Sequence, residues 1–226
     1  MPFVSKIRKM NLIHLAIEAM LKNKIEEIPY DEPKYVGVKV PQFSFVRLQG
    51  ADPKLGVEMV STGEVACFGT TFSDALLKAM ISAELDIPQT DSKILITIAD
   101  EFKPQIKNLA KKLNKLNFKI YATFGTAKYL EEHGVKTQIL YKVFEDNNPN
   151  ILNYLENKLI DLVITIPPIN ANNLDKEDNY IIRRKAIESN IPVIMNIELA
   201  NSVVNAIESN IGKNFEISSI NEYHSL

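Results

Sequence analysis

The sequence contains almost no cysteine, which excludes two common ways of stabilising a fold. Cys67 is the single cysteine among 226 residues, so neither an internal disulfide nor a cysteine-based zinc site can form. No apolar run approaches the length of a membrane span, and the N-terminus lacks the apolar segment of a signal peptide. We therefore expect a cytoplasmic protein without a membrane partner.

The chain also lacks an excess of positive charge. It has 26 Lys and Arg residues against 28 Asp and Glu residues, for a formal net charge of −2. Proteins that bind nucleic acid through a basic surface carry a positive excess, so we expect no nucleic-acid partner. Hydrophobic residues make up 46% of the chain, which is enough for a sizeable core in one large or two small domains.

From residue 93 onward, short apolar segments alternate with helical segments. Segments typical of strands lie at 94–98, 118–122, 137–141, 160–166 and 192–195. Helical segments follow them, one beginning near Pro104 and another at Pro149 with Asn148 as its cap. This alternation predicts an α/β fold in which a parallel five-stranded, Rossmann-like sheet is flanked by helices.

Residues 1–90 lack this regularity and predict a smaller α+β segment. Two strand candidates over residues 35–48 are broken at Pro41, since proline disrupts the interior of a strand. A helix is predicted to open at Thr71 or at the residue after it. We therefore divide the chain into residues 1–90 and a larger domain over residues 91–226.

One strand-to-helix turn, over residues 118–130, carries the features of an anion site. Gly125 is interpreted as a turn residue whose backbone angles a Cβ would forbid, and Thr126 as the N-cap of the helix that follows. Thr123 and Thr126 then lie beside the free N–H groups and the positive dipole of a helix start, where a phosphate binds well. An ordinary capped turn without a ligand fits the same residues.

Two lysines follow neighbouring strands of the predicted sheet. Lys103 follows the end of the first strand and Lys142 follows the end of the third. The carboxyl ends of parallel strands meet at one edge of a sheet, and ligands bind there. We therefore predict that a phosphate-binding site is formed by four residues: Lys103, Thr123, Thr126 and Lys142.

A later helix carries two adjacent arginines, Arg183 and Arg184. We expect one of them at the rim of the phosphate site. The other is expected in an ion pair at the surface.

Several segments resemble the large subunit of carbamoyl-phosphate synthase. In the N-terminal part these are PFVSK at residues 2–6, VPQFSF at 40–45 and LGVEMVSTGEV at 55–65. The last of them is long and specific, and is similar to the end of that enzyme's second ATP-grasp unit. In the C-terminal part, YATFGTA at 121–127 and YIIRR at 180–184 resemble motifs of its methylglyoxal-synthase-like regulatory domain. The resemblance covers nearly the whole chain.

The resemblance implies that residues 1–90 are the C-terminal remnant of an ATP-grasp region and residues 91–226 a methylglyoxal-synthase-like regulatory domain. In the family, this domain binds an allosteric effector: UMP or IMP in bacteria, and a uridine nucleotide or N-acetylglutamate in eukaryotes. The positions that match the family's phosphate contacts are Lys103, Thr123, Thr126 and Lys142. The resemblance also implies a separate synthetase chain as partner, in pyrimidine and arginine biosynthesis. ATP and Mg would belong to that partner, and this chain would hold no cofactor.

Two departures from the family pattern shape these expectations. The family's Glu-x-Asn-x-Arg motif for metal and phosphate precedes PFVSK, whereas this sequence starts at Met1, so we expect no carbamoyl phosphate synthesis by this chain alone. Relatives carry an asparagine that contacts the effector at the end of the fourth strand, where this chain has Thr165 followed closely by Pro167 and Pro168. The residues expected to contact the phosphate therefore match the family pattern. The residues expected to contact the rest of the effector depart from it.

Two other functions stay open. A free-standing methylglyoxal-synthase-like enzyme would need a catalytic carboxylate and a histidine at the phosphate turn. Asp100, near the end of the first strand, is expected to be a solvated loop residue, and His14, His133 and His224 all lie outside the predicted site. The second alternative is an interaction module that docks through residues 1–90 without a working effector site. We assign no catalytic residue and no metal ligand.

Overall fold

The first part of the chain forms two short helices, a two-stranded sheet and a longer helix. The computed structural model describes residues 2–25, 32–42, 63–145, 147–169 and 173–226, with the backbone alone for 173–176. In chain order the first elements are α1 (Pro2–Ile7), α2 (Leu12–Met20), β1 (Val36–Gln42), β2 (Gly63–Gly69) and α3 (Phe72–Ser82). Helix α3 begins at Phe72, one of the two predicted starts, and Thr71 is its N-cap.

Strand β1 runs through Pro41, so the predicted break at that residue is wrong. Pro41 lies opposite Glu64, near the end of the antiparallel ladder between β1 and β2. A two-stranded sheet consists of edge strands alone, and proline is tolerated on an edge strand where its missing N–H faces away from the ladder. The second strand candidate, after this point, lies outside the described residues.

Five parallel strands follow and confirm the predicted sheet. In chain order the elements are β3 (Lys93–Ile98), α4 (Lys103–Lys115), β4 (Lys119–Ala122), α5 (Phe124–Glu132), β5 (Gln138–Ile139), α6 (Ile151–Glu156), β6 (Leu162–Ile166), α7 (Asn173–Glu188), β7 (Val193–Ile194) and α8 (Ile197–Asn210). One turn of 3-10 helix, Asp100–Phe102, leads into α4, and a short helix, α9 (Ile220–Tyr223), follows α8.

The strand order is β5-β4-β3-β6-β7, so the chain changes direction across the sheet at β3. It first adds β4 and β5 on one side of β3 and then returns to place β6 on the other side. Ile96 of β3 accordingly pairs with Ala122 of β4 and with Ile164 of β6. In an open α/β sheet, the crevice beyond the carboxyl ends of the strands at such a switch point is where ligands bind.

Alternate residues of the central strand contribute to two separate cores. Ile94, Ile96 and Ile98 pack with side chains of α3, α4, α5 and α8, whereas Leu95 packs with side chains of α6 and α7. Every residue of β6 is buried. An apolar strand that is covered by helices on both faces is what the sequence over residues 160–166 predicts.

Core contacts cross residue 90. Three apolar side chains of α3 belong to the same core as β3 and α8. In the N-terminal layer, Phe68 of β2 stacks on Tyr35 with ring centroids 5.1 Å apart and meets the edge of Tyr223 in α9 at 5.8 Å. The division of the chain at residue 90 stays a prediction.

Helix α2 has no buried residue. Its exposed face holds large apolar side chains, which we call the α2 patch: Ile13, Ile17, Met20 and the adjoining Leu21, exposed by 44%, 48%, 80% and 65%. The first three lie at the i, i+4 and i+7 spacing of one helical face. Exposed apolar side chains grouped on one face are candidates for an interaction surface. Across the described residues, no helix combines the length and apolar character that crossing a bilayer requires.

Helix α6 begins two residues later than predicted. Its N-cap is Asn150, whose side chain accepts a hydrogen bond from the backbone N of Leu152 at 2.9 Å, so Asn148 is not the cap. The carbonyl of Pro149 accepts a hydrogen bond from the backbone N of Tyr141 at 2.9 Å. The residues predicted to open the helix therefore extend the sheet edge first, since Tyr141 and Asn150 form a parallel bridge.

Candidate anion-binding site

A cleft of about 460 Å³ opens beyond the carboxyl ends of β3, β4 and β6. We call it the switch-point cleft, because it lies where the strand order reverses. Its lining includes all four residues that the sequence predicts for phosphate binding: Lys103, Thr123, Thr126 and Lys142. The structure therefore brings these residues together, while their role in binding stays a prediction.

The two threonines connect the start of α5 to the sheet. Thr123 is the N-cap residue, so the prediction that Thr126 caps this helix is wrong. The hydroxyl of Thr123 donates to Oγ1 of Thr126 at 3.2 Å. Thr126 is 1% exposed, and its hydroxyl accepts from the backbone N of Ile98 at 3.3 Å and donates to the carbonyl of Ile98 at 3.4 Å. Thr126 therefore fixes the first turn of α5 against the end of β3.

Gly125 leaves room for Lys103 at the start of α5. It lies in the first turn of the helix and not in a left-handed turn, so the predicted special backbone angles are wrong. A Cβ on Gly125 would lie 3.3 Å from Nζ of Lys103, which is tighter than most contacts of a Cβ. The ammonium of Lys103 donates to the carbonyl of Gly125 at 2.8 Å. Glycine therefore permits a close approach of positive charge to the helix start.

Lys142 reaches the cleft from the loop after β5. Its backbone N donates to Oε2 of Glu145 at 2.8 Å, and its carbonyl accepts from Nδ2 of Asn150 at 2.8 Å. These two contacts fix the backbone of Lys142, which lines the cleft. The free N–H groups of the first turn of α5 add to the positive potential of the two ammonium groups. The arrangement favours an anion.

Asp100 lies beside both lysines of the cleft. Its Oδ1 is 2.6 Å from Nζ of Lys103, although the Asp100 side chain is 92% exposed. The hydrogen bond and charge of Lys103, and to a smaller degree the charge of Lys142, hold the pKa of Asp100 below its ordinary value. Asp100 is exposed, as predicted, but it is also the counter-ion of Lys103. An incoming anion must compete with it.

Among the described residues, the side of the cleft formed by β6 and α7 carries no charged side chain. Thr97 of β3 lies beside Thr165 of β6 in the register of the sheet. Thr165 is fully buried, and its hydroxyl donates to Oδ1 of Asn179 in α7 at 3.0 Å. Thr97 and Asn179 line the cleft, together with Pro167 and Pro168. Sequence reasoning missed Asn179, because no local pattern links a residue of α7 to the end of a strand.

Neither arginine of α7 belongs to the described lining of the cleft. Arg183 is buried, at 5% exposure. Nε of Arg184 donates to Oε1 of Glu188 at 2.8 Å, which is the kind of ion pair expected for one of the two. A position at the rim of the site for one of the two arginines stays a prediction.

Two glutamates of the cleft were not singled out from the sequence, and both support loops. Oε1 of Glu101 accepts from the backbone N of Ile169 at 2.8 Å and so ties the loop after β6 to the loop after β3. Glu145 holds the backbone of Lys142, as described above. The one sequence signal for the role of Glu145 is its position three residues after Lys142, a spacing typical of side chains that cap turns.

The three histidines lie away from the cleft. His14 is on the exposed helix α2, Nδ1 of His133 contacts the carbonyl of Tyr129 at 2.8 Å, and Nε2 of His224 contacts the carbonyl of Lys6 at 2.8 Å. The described lining of the cleft therefore contains no imidazole. This geometry gives no support to an enzyme that transfers a proton through histidine.

Residues 105–195, from the first turn of α4 to just past β7, match the family described as the MGS-like domain. The matched segment contains Thr123, Thr126 and Lys142, and Lys103 lies just before it. The chain therefore carries an MGS-like domain, on a parallel sheet of the kind that the sequence predicts.

Over nearly its whole length the chain is similar to parts of longer proteins. It is 41% identical over 230 residues to the multifunctional protein ura1 of Schizosaccharomyces pombe, spanning 97% of this chain and 10% of that protein. It is 38% identical over 221 residues to the carbamoyl phosphate synthase large chain, C-terminal section, of Methanocaldococcus jannaschii, spanning 92% of this chain and 35% of that one. The resemblance to the carbamoyl-phosphate synthase large subunit is thus confirmed.

Among solved structures, methylglyoxal synthase from Elizabethkingia anophelis aligns with a TM-score of 0.39 and 17% identity, over 61% of this chain and 93% of that one.

Proposed function

We propose that the chain is the C-terminal regulatory portion of a carbamoyl-phosphate synthase large chain, acting in the cytoplasm in pyrimidine and arginine biosynthesis. The switch-point cleft binds the phosphate of a nucleotide effector, which is UMP, IMP or another uridine nucleotide. The α2 patch docks on a separate synthetase chain. ATP and Mg belong to that chain, and this one holds no cofactor.

One observation carries the effector proposal: two lysines, Lys103 and Lys142, line the cleft that opens at the start of α5. Lys103 is held there by its 2.8 Å contact with Gly125, and Lys142 lines the same cleft. A phosphate monoester carries between one and two negative charges and several acceptor oxygens, which match two cations and the N–H groups of a helix start. The volume of about 460 Å³ falls within the range of small-molecule sites, so a nucleoside fits beside the phosphate.

The docking proposal is supported by the α2 patch and by the length of the relatives. Ile17 and Met20 are exposed by 48% and 80%, on a helix without a buried residue. The chain spans 35% of its archaeal relative and 10% of its fission-yeast relative, so in those proteins the similar segment belongs to a larger polypeptide. A partner chain that supplies the remaining parts would bury an apolar surface of this kind at its interface with this chain.

Calorimetric titration tests the effector proposal. The purified chain is titrated with inorganic phosphate, UMP, IMP and N-acetylglutamate in separate experiments. We expect heat from phosphate and larger affinity for at least one nucleotide, because the nucleoside adds contacts to the same site. If none of the four ligands produces heat or raises the temperature of unfolding, the cleft is not an effector site and the interaction-module alternative gains.

A matched pair of variants tests the docking proposal. Ile17→Asp places a charge in the α2 patch, whereas Ile217→Asp makes the same change at an isoleucine that is 96% exposed elsewhere on the chain. Both are mixed with a purified synthetase chain of the same organism, and complex formation is followed by analytical ultracentrifugation. The proposal requires that Ile17→Asp weakens the complex and that Ile217→Asp does not. Equal binding by both variants would move the interface away from α2.

A further inference from the structure

The end of the chain returns to the N-terminal layer along a mostly exposed segment. Nine residues, 211–219, join α8 to α9, and all of them except Phe215 are exposed. Phe215 packs against the core of the parallel sheet. Helix α9 then begins with a capping box between Ser219 and Glu222. We call residues 211–226 the C-terminal strap, since it is held near its two ends and little of it is buried between them.

Two aromatic side chains anchor the far end of the C-terminal strap. Tyr223 is 7% exposed, and its ring lies edge-on to Phe68 of β2 with the centroids 5.8 Å apart. The hydroxyl of Tyr223 accepts from Nζ of Lys78 in α3 at 3.0 Å. The ring of His224 lies 6.0 Å from the ring of Tyr35. The C-terminal strap therefore closes over the junction between the N-terminal sheet and α3.

His224 also contacts the last turn of α1. Its Nε2 lies 2.8 Å from the carbonyl of Lys6. Because a carbonyl oxygen only accepts, this hydrogen bond requires a proton on Nε2. The hydroxyl of Tyr35 donates to the next carbonyl, that of Ile7. Two donors from outside the helix thus hold the carbonyl end of α1, and one of them belongs to the C-terminal strap.

Helices α1 and α2 are joined as one unit, and the α2 patch is part of it. The hydroxyl of Ser5 accepts from the backbone N of Leu12 at 3.3 Å, and its carbonyl accepts from that of Met10 at 2.9 Å. Neither helix contains a buried residue. At the last turn of α1, Ile7 lies so close to Gly37 of β1 that a Cβ there would come within 2.5 Å of Cδ1 of Ile7. Contacts at this turn therefore contribute strongly to the position of the α2 patch.

We infer that the C-terminal strap regulates docking through the α2 patch. When the strap is closed, it holds the α1–α2 unit in the position that docks on the partner chain, and when it opens, the unit is released. The inference rests on the docking role proposed for the α2 patch. The anchoring contacts of Tyr223 and His224 described above go to α1, to the N-terminal layer and to α3. Their loss leaves the parallel sheet in place, as in local opening without global unfolding.

Hydrogen exchange of the full chain tests whether the C-terminal strap holds α1 and α2. His224→Ala removes the donor to Lys6, and Tyr223→Ala removes the buried ring. Both should speed amide exchange in α1 and α2, by about two- to tenfold for His224→Ala, which is the effect of one net hydrogen bond. Exchange in β3 and β6 should stay slow, which shows that the variants are folded. His224→Gln supplies an N–H donor again and should slow exchange towards that of the unaltered chain.

His133→Ala is the matched control for the loss of an imidazole. The ring of His133 lies 4.3 Å from the ring of Tyr129, and its Nδ1 lies 2.8 Å from the carbonyl of Tyr129, within α5 and its cap. This variant should leave exchange in α1 and α2 unchanged. If His224→Ala and Tyr223→Ala exchange as His133→Ala does, the C-terminal strap does not hold α1, and the inference is overturned while the docking proposal stands.

Binding to the purified synthetase chain, followed by analytical ultracentrifugation, tests the regulation itself. We expect His224→Ala and Tyr223→Ala to weaken the complex at least twofold, and His224→Gln and His133→Ala to weaken it less. Faster exchange in α1 and α2 without weaker binding would overturn the regulation, and weaker binding by Ile17→Asp would then leave the docking proposal standing. If Ile17→Asp binds like the unaltered chain, the docking proposal fails and the inference fails with it.

Discussion

Helix α2 and strand β6 are both strongly apolar, yet one is exposed and the other is buried. None of the nine residues of α2 is buried, whereas all five residues of β6 are. Strand β6 lies between β3 and β7 and is covered by helices of the same chain on both faces. The apolar side chains of α2 would also be stabilised by burial, but the described residues do not bury them. The comparison separates apolar residues that hold this fold together from apolar residues that the described fold leaves exposed.

The largest expected effect comes from the same substitution made in both regions. Ile164→Ala removes a fully buried side chain from β6 and should lower the free energy of unfolding by about 2–5 kcal/mol. Ile17→Ala in the α2 patch should change it by less than about 0.5 kcal/mol. Urea denaturation of the two variants measures the difference. Similar losses at both positions would mean that α2 is part of the folded core.

The next effect concerns ligand affinity at the edge of the buried sheet. Charge-assisted contacts contribute about 1.5–3 kcal/mol each, so Lys142→Ala should weaken UMP binding tenfold or more. Its free energy of unfolding should barely change, since a lysine at a loop edge buries little apolar area. Lys119, an exposed residue at the opposite end of β4, is the control. A similar loss of affinity in Lys119→Ala would show that overall charge, and not the cleft, determines binding.

A third variant, Thr126→Val, tests whether a residue of the cleft also stabilises the fold. Valine keeps the shape of threonine but leaves the backbone N–H and carbonyl of Ile98 without the buried hydroxyl. We expect a loss of about 1–3 kcal/mol in the free energy of unfolding and weaker phosphate binding. Thr137→Val, which removes an exposed hydroxyl bonded to Glu131, should have a small effect. Equal stability of the two variants would indicate that α5 does not depend on its contact with β3.

The sequence was sufficient for the sheet because its strands are buried on both faces. The apolar pattern of a strand such as 160–166 can be recognised from its own sequence, without knowing which strands lie beside it. The four residues at the strand ends were also predictable, since a parallel sheet places successive ends at one edge. Their local roles were not. Thr123 and Thr126 both suit an N-cap, and which of them occupies it depends on where β4 ends.

Contacts between distant segments account for what the sequence could not show. Gly125 was interpreted through its backbone angles, while its actual use is the space it leaves for Lys103, 22 residues earlier. Asn179 lines the cleft because α7 passes over the end of β6, which no local pattern encodes. Pro41 continues a strand because that strand lies in a sheet of two. Each of these facts depends on packing and not on propensity.

The smallest expected effect is at Asp100, the exposed counter-ion of Lys103. Exposed ion pairs are weak, so Asp100→Asn should strengthen phosphate binding by about two- to fivefold, by removing the competing carboxylate. Glu208→Gln, which breaks a 2.7 Å pair between α8 and Lys112 near the far end of α4, should leave binding unchanged. An equal gain in both variants would assign the effect to net charge.

The pKa of Asp100 offers an independent check of the same ion pair. It is lowered in the folded chain by Lys103, so the pair stabilises the fold above the ordinary carboxyl pKa. That contribution is lost as the pH falls through the lowered value. Titration followed by NMR should show the lowered pKa, and Lys103→Ala should return it towards the ordinary value. An unchanged pKa in that variant would contradict the pairing.

The most direct test of the whole account is the structure of the chain determined with UMP. We predict that the phosphate lies within hydrogen-bonding distance of Nζ of both Lys103 and Lys142, at the first turn of α5, and that Asp100 has moved away from Lys103. The chain has a larger groove, of about 760 Å³, lined by Leu77 of α3 and Ile207 of α8. UMP bound in that groove, with the switch-point cleft empty, would contradict the central claim.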